Sequence, residues 1–464
     1  MPRMILLATL TALLTGCTSQ VKTSESPVIL LVSFDTTRTD AIGAYGGEGA
    51  VTPHLDALAA RGVRFEQAMT PLPTTLGSHT SMMSGLDTHG HGVPRNGVPV
   101  PESVPLLAEH LAAAGWDRIA AVGAIPLDAR MGLNRGFRVY KDMRVAAKLG
   151  QTRRPGEKVN ADILDALDAR EGNEPVFVFA HYYDPHAPWV SAPQEVRDRF
   201  VSPKFRAEIN GRERGHFLRV RNRRGHAIST RTVRAMRNLY LAQVHWTDKI
   251  FGELIGGLEA RGMMDNALVI MTADHGEMLD EAHLGQVYTH GPDVDLPVTR
   301  VPMIIAGTGT FQTPVGKAVS RRVRLQDIAN TVMVQAGLKP TLGNGEDLAK
   351  VWAGTAGEPP PHFAEATRTG IDPKRGKAGE GEWHNAHYER MVINEDAMLV
   401  WTPWKGTPPQ LYGLDMSQPV VEDADKAARL KAQIDMWDKA AVHSEIGEMD
   451  PEIEAGLRAL GYFD

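Results

Sequence analysis

Cysteine is almost absent from this chain of 464 residues, in which Cys17 stands alone. Without a second thiol no intramolecular disulfide can form, and a zinc cluster built on thiolates is excluded. Any metal chemistry must therefore rest on oxygen and imidazole. Long apolar runs are also scarce, and none reaches the length of about 18 residues that a membrane-crossing helix requires. An excess of one charge is lacking too: Lys+Arg 50 against Asp+Glu 56 leaves −6, and no nucleic-acid partner that depends on overall charge is expected. With 42% hydrophobic and 23% charged residues the balance is that of a globular protein, so wholesale disorder is excluded. The length allows one large domain or two.

The lone cysteine closes a distinctive beginning. Met1 to Cys17 carries one basic residue, Arg3, an apolar stretch from Met4 to Leu14, and the ending Leu14-Thr15-Gly16-Cys17. That is the layout of a secretory signal, too short to span a bilayer. Small residues before a cysteine resemble the lipobox of bacterial lipoproteins. The resemblance implies cleavage ahead of Cys17, lipidation of its thiol, and an exported body anchored to a membrane by lipid, facing the periplasm or cell exterior. A cleaved export signal with an incidental cysteine is the alternative. Residues 18–27 then form a polar tether.

Beyond the tether, strand-like and helix-like patterns alternate. Apolar runs of strand length occur at Val28–Ser33, Ile119–Val122, Val176–Ala180, Ala267–Thr272 and Val301–Ile305, as expected for parallel strands covered on both faces. Helical patterns lie at Pro53–Arg61, Val104–Ala114, Ala161–Arg170, Arg231–Arg261 and Leu325–Ala336. The alternation predicts an α/β domain over 28–357 with a mostly parallel sheet flanked by helices, and a ligand site at the carboxyl ends of its strands. A break at Glu358-Pro359-Pro360-Pro361 precedes short strand-like runs at Met391–Asn394 and Ala397–Trp401, a charged helix pattern at Ala424–Ala441 and a tail from Pro451 to Asp464. This predicts a smaller α+β carboxyl-terminal subdomain over 358–464.

Acid and imidazole groups gather at the ends of the apolar runs. The first run leads into Phe34-Asp35, another into His181-Tyr182-Tyr183-Asp184-Pro185-His186, and a third into Ala273-Asp274-His275-Gly276-Glu277. A carboxylate directly after a buried strand is held rigidly, as a metal ligand must be. An Asp-His pair offers a hard oxygen and a neutral nitrogen, which favours zinc or manganese, with calcium and magnesium as alternatives. Taken singly, such a pair is also what a helix cap or a satisfied surface histidine looks like. A fourth element is the segment from Pro71 to Gly85, PLPTTLGSHTSMMSG. Thr75 there is either an N-cap or, beside a metal, a nucleophile toward phosphorus or sulfur.

Asp35, then Thr75 in T-x-G-S-x-x-S-x-M-S-G, DPHAPW at Asp184–Trp189, TADHGE at Thr272–Glu277 and His290-Gly291 together resemble the sulfatase family of the alkaline phosphatase superfamily. The phrases FDTTRTDAIGAYGG, GLNRGF at Gly132–Phe137 and VPMIIAG at Val301–Gly307 extend the likeness over nearly the whole chain. The resemblance implies one divalent metal between Asp35, Thr75, Asp274 and His275, with Thr75 also the nucleophile. His186 and His290 match positions that contact the transferred group or hold a second metal. Asp184, Glu277, His283 and His79 are candidates for a supporting layer.

The chain also departs from the pattern. A sulfatase proper has a cysteine or serine, oxidised to formylglycine, followed by x-Pro-x-Arg; this chain reads Thr75-Leu76-Gly77-Ser78-His79, and the usual aspartate pair is Asp35-Thr36. Threonine at that position resembles the phosphodiesterases and phosphoethanolamine transferases of the superfamily. The expectation is a hydrolase of anionic phosphate or sulfate esters, with phosphorus preferred. A transferase and a silent sulfatase-like binding lipoprotein are the alternatives. From Arg197 to Arg237 there are 13 Lys/Arg against 3 Asp/Glu, a stretch suited either to anionic substrate and membrane phosphate or to a solvated face. Oligomeric state is not legible.

Overall fold

The first apolar run shows why the main sheet is buried on both sides. Successive residues of a strand point to opposite faces, and here Ile29 and Leu31 enter one core while Val28, Leu30, Val32 and Phe34 enter another. Both faces are covered, so both registers of the alternation are apolar as far as Val32. The structure is a computed structural model that describes residues 26–143, 153–203, 229–279, 281, 288–291, 293–367, 388–403, 406–414, 422–442 and 450–460.

The main sheet has nine strands: β1 (Val28–Phe34), β2 (Val63–Met69), β3 (Asp117–Val122), β4 (Val139–Lys141), β5 (Val176–Tyr182), β6 (Ala267–Thr272), β7 (Arg300–Gly307), β8 (Lys317–Val319) and β9 (Val323–Arg324). Their order is β4-β3-β5-β1-β6-β7-β2-β8, with β9 also paired to β2. Strands β3, β5, β1 and β6 run parallel, while β7 is antiparallel to both β6 and β2. β1 lies in the middle, in register with β5 and β6, so that Ser33 sits opposite both His181 and Thr272. One face is covered by helices Gly156–Asp168 and Thr230–Glu259, the other by Thr75–Ser84, Leu107–Ala113 and Asp327–Gln335.

A second sheet, antiparallel and four-stranded, contains β10 (His362–Thr367), β11 (Tyr388–Asn394), β12 (Ala397–Trp401) and β13 (Gln410–Gly413), with helix Ala424–Lys439 packed on it. It is fastened to the main domain by Glu365 N–H donating to the Pro71 carbonyl at 2.9 Å, and by the His89 ring stacked on Trp437 at 3.4 Å. The segment that reads as a tail begins as a helix, Pro451–Leu460. Its Ile453 and Leu457 return to the core of the main domain. Among the described residues no helix is long and apolar enough to cross a membrane.

Leu30 is fully buried in the central strand. Leu30→Ala is expected to lower unfolding stability by about 2–5 kcal/mol, measured by urea denaturation, because neighbours on both flanking strands prevent collapse into the void.

Candidate active site

Three strands of the main sheet end side by side and deliver polar groups to one buried place. Asp35 follows β1, His181 is the penultimate residue of β5, and Asp274 follows β6 by two residues. All three are fully buried. The Asp274 Oδ1 atom accepts the backbone N–H groups of Thr36 at 3.1 Å and His275 at 2.8 Å. The Asp35 Oδ2 atom accepts His181 Nε2–H at 3.2 Å, with the Gly123 N–H directed at His181 Nδ1. Each carboxylate thus has one oxygen engaged, while Asp35 Oδ1 and Asp274 Oδ2 remain buried without a partner. His275 repeats the arrangement: its Nδ1 donates to the Gly276 carbonyl at 2.9 Å, and its buried Nε2 has none.

Thr75 is the first residue of its helix, not the cap. Thr74 occupies the N-cap with extended backbone, φ −140°, and its side chain makes no capping bond. The Thr75 hydroxyl is therefore not spent on the helix, which decides against the N-cap alternative. It is buried without a normal hydrogen bond, yet close enough to Asp35 to favour that carboxylate's anion. One turn on, His79 Nδ1–H donates to the Thr75 carbonyl at 2.7 Å and its Nε2 accepts the Ser33 hydroxyl at 2.9 Å. The same Nδ1 lies 3.9 Å from Asp274 Oδ2.

Buried polar atoms are nearly always paired, and here four that suit a divalent cation are unpaired together: Asp35 Oδ1, Thr75 Oγ1, Asp274 Oδ2 and His275 Nε2. Candidate ligand atoms of Asp35, Asp274 and His275 lie within 4.8 Å of one another. These residues fit a metal. His79, His181 and Asp274 meet the same distance, but both imidazoles already have their two nitrogens engaged, so they orient the first group. Burial, and then the charge of Asp274, push Asp35 well above the ordinary carboxylate range. Two buried carboxylates this close ionise together only when a cation balances them.

Beside this group stand the remaining imidazoles. The His290 ring lies 4.5 Å from that of His275 and 4.9 Å from that of His186, and His290 Nδ1 is 3.3 Å from Glu277 Oε2. His186 donates Nδ1–H to the Ala187 carbonyl at 2.7 Å and stacks on Tyr183. Burial, then His290, push His186 down to about 3, so it is neutral. Asp184 is placed elsewhere, with its carboxyl against Gly156 in the first turn of helix Gly156–Asp168, where burial and Glu157 raise it to about 7. His283 and Cys17 lie outside the described residues, as does most of the basic segment, residues 204–228.

Thr36 and Ser33 are members of the site that the sequence reading does not single out, and His181 is named there only within the strand end that leads to His186. Thr36 holds φ 53°, uncommon for a β-branched residue, and in that conformation its N–H meets Asp274 while its own buried hydroxyl has no partner. The available signal was a polar side chain at the last positions of otherwise apolar strands.

A family model described as Sulfatase matches residues 27–338. Among curated proteins the chain is 25% identical over 377 residues to an ulvan-active sulfatase of Formosa agariphila, covering 73% of this chain and 68% of that one. It is 25% identical over 336 residues to a choline-sulfatase of Rhizobium meliloti, covering 62% and 64%. Among solved structures, the phosphonate monoester hydrolase of Agrobacterium radiobacter superposes with a TM-score of 0.66 at 23% identity, covering 89% and 95%.

The buried imidazoles carry a pH dependence. His79, His91 and His186 are pushed down to about 3 and His181 to about 4, in each case chiefly by burial. In the unfolded chain they take up protons below about 6.5. Their contribution to stability is therefore complete above pH 6.5 and is lost as pH falls toward 4. Urea denaturation should show stability falling by up to about 5 kcal/mol per pH unit near pH 5 from these four groups together. A flat profile between pH 7 and 4.5 would contradict their burial as neutral groups.

Proposed function

The chain belongs to the sulfatase family, and from that premise we propose that this hydrolase cleaves anionic phosphate esters in preference to sulfate esters, with the Thr75 hydroxyl as attacking group. The observation that carries the reading is the buried Thr75 Oγ1, unspent on its helix and next to Asp35. A divalent cation bound by Asp35, Asp274, His275 and Thr75 would sharpen the hydroxyl as a nucleophile and offset charge on the ester oxygens. Zinc or manganese suits this mixture of oxygens and one imidazole.

The chain's own groups supply the rest. Thr75 gives its hydroxyl proton to water, and its Oγ attacks phosphorus in line with the leaving oxygen, forming a phosphothreonine as the bond to the leaving alcohol breaks. Glu277 accepts His290 Nδ1–H, which fixes the tautomer and stabilises the imidazolium whose Nε2–H protonates the leaving oxygen. With the proton gone, His290 Nε2 is a base for the water that opens the phosphothreonine. His181 on Asp35 and His79 on the Thr75 carbonyl hold ligand and nucleophile in place. The preference for phosphorus follows from the alcohol. A formylglycine hydrate sheds its ester by breaking a carbon–oxygen bond through a second hydroxyl, which threonine lacks. The ester on Thr75 must instead be opened by attack at the central atom. The Leu14–Cys17 pattern supports an exported, lipid-anchored location.

Three substrates test the reading: bis-p-nitrophenyl phosphate, p-nitrophenyl phosphate and p-nitrophenyl sulfate. Cleavage of a phosphate ester should exceed cleavage of the sulfate, and Thr75→Ala should lose at least about a hundredfold in kcat. Faster sulfate cleavage would reverse the preference, and a full rate in Thr75→Ala would remove the nucleophile. His290→Gln should slow an alkyl ester by at least about tenfold more than a p-nitrophenyl ester, because only the poorer leaving group depends on protonation.

A further inference from the structure

A second buried polar cluster lies at the seam between the two sheets. Arg322 precedes β9, Arg324 ends it, and His362 opens β10. Their exposures are 5%, 4% and 0%. Arg324 is balanced, its Nη2 donating to Asp327 Oδ1 at 2.9 Å, and Arg321 is paired with Glu346 at 3.0 Å. Arg322 has no carboxylate among the described residues. Its Nη2 donates to the Pro360 carbonyl at 3.2 Å and its Nε has no partner. Arg324 Nε, both ring nitrogens of His362 and Gln326 Oε1 are likewise buried without a hydrogen bond.

Three arginines against two carboxylates leave one surplus positive charge. A buried unpaired guanidinium is among the costliest features a fold can keep, and the unpaired donors show that an acceptor belongs among them. Burial and the neighbouring arginines push Arg322 down to about 10 and His362 well below its usual range, against the opposing pull of the Thr70 backbone. Water would satisfy the donors but not the charge.

We propose that Arg322, Arg324 and His362 enclose one small monovalent anion of the halide class. Nη2 of Arg322 is already committed to Pro360 and Nη2 of Arg324 to Asp327 and Asn344, and Nη2 takes part in either fork a guanidinium can offer. Single Nε–H contacts remain, rather than the two-pronged fork that grips sulfate or phosphate. The two strands that contribute to the site also clasp the approach to Thr75. β9 pairs with Ala68 and Met69, Leu325 N–H donates to the Met69 carbonyl at 2.9 Å, and β10 bonds Pro71 through Glu365. The anion thus ties the small sheet to the segment that carries the nucleophile.

Melting of the full chain in sodium chloride or bromide, against sodium gluconate at equal ionic strength, tests this. A saturable rise in Tm of about 1–3 °C with either halide is expected. In Arg322→Met the halide response should vanish, and His362→Gln, which keeps the charge, should weaken it. Crystals grown with bromide should show one anomalous peak between Arg322, Arg324 and His362. Identical melting in halide and gluconate, an undiminished response in either variant, or absence of the bromide peak would each overturn the proposal. So would a rise produced by sulfate and not by halide.

Discussion

Two carboxyl groups, Asp35 and Asp274, are buried together at the end of one sheet with no lysine or arginine among the described residues paired to them, and most features of the active site follow from that constraint. The immediate neighbours are imidazoles: His79, His181 and His275. Each carboxylate has one oxygen fixed by N–H donors and the other left bare. Such an arrangement is unfavourable as an isolated anion pair. It becomes favourable when a cation shares the bare oxygens, and the same cation then acts on the hydroxyl of Thr75.

The fold makes that constraint tolerable. β1, β5 and β6 are held by parallel ladders and by apolar cores on both faces, so the polar groups at their ends have little freedom to separate. The supporting histidines carry defined tautomers because their partners leave no choice: a carbonyl opposite His79 Nδ1 and a backbone N–H opposite His181 Nδ1. His290 is set differently, against the carboxylate of Glu277. That separates a rigid group of ligands from an imidazole able to take and return a proton.

Much of this was legible in the sequence because burial on both faces writes itself as unbroken apolar runs. β1 and β6 could be bounded to within a residue. β2, Val-Arg-Phe-Glu-Gln-Ala-Met, escaped notice because Arg64 and Glu66 are not buried and interrupt the apolar pattern. The reversed direction of β7 was invisible, since direction depends on how the connection folds and not on the strand's own residues. In the site, Asp35, Asp274 and His275 announced themselves by following apolar runs. His181 also ends such a run, but its role on Asp35 was not legible, because it lies inside a strand and only the register with Ser33 turns it toward Asp35. Thr36 was hidden for another reason: its role rests on a left-handed backbone that nothing local in a β-branched residue suggests. Asp184 looked like part of the motif around His186, yet the chain turns its carboxyl toward a helix start.

The central claim is that Asp35 Oδ1, Asp274 Oδ2, His275 Nε2 and Thr75 Oγ1 are unpaired because they are ligands. Metal content is the most direct test. Protein stripped by chelation, reloaded with manganese or zinc and freed of excess should retain one equivalent by elemental analysis, or two if His186 and His290 hold a second ion. Asp35→Asn with Asp274→Asn should retain none at that site. A folded native chain that keeps no metal, or a double variant that keeps as much as the native chain, would contradict the account.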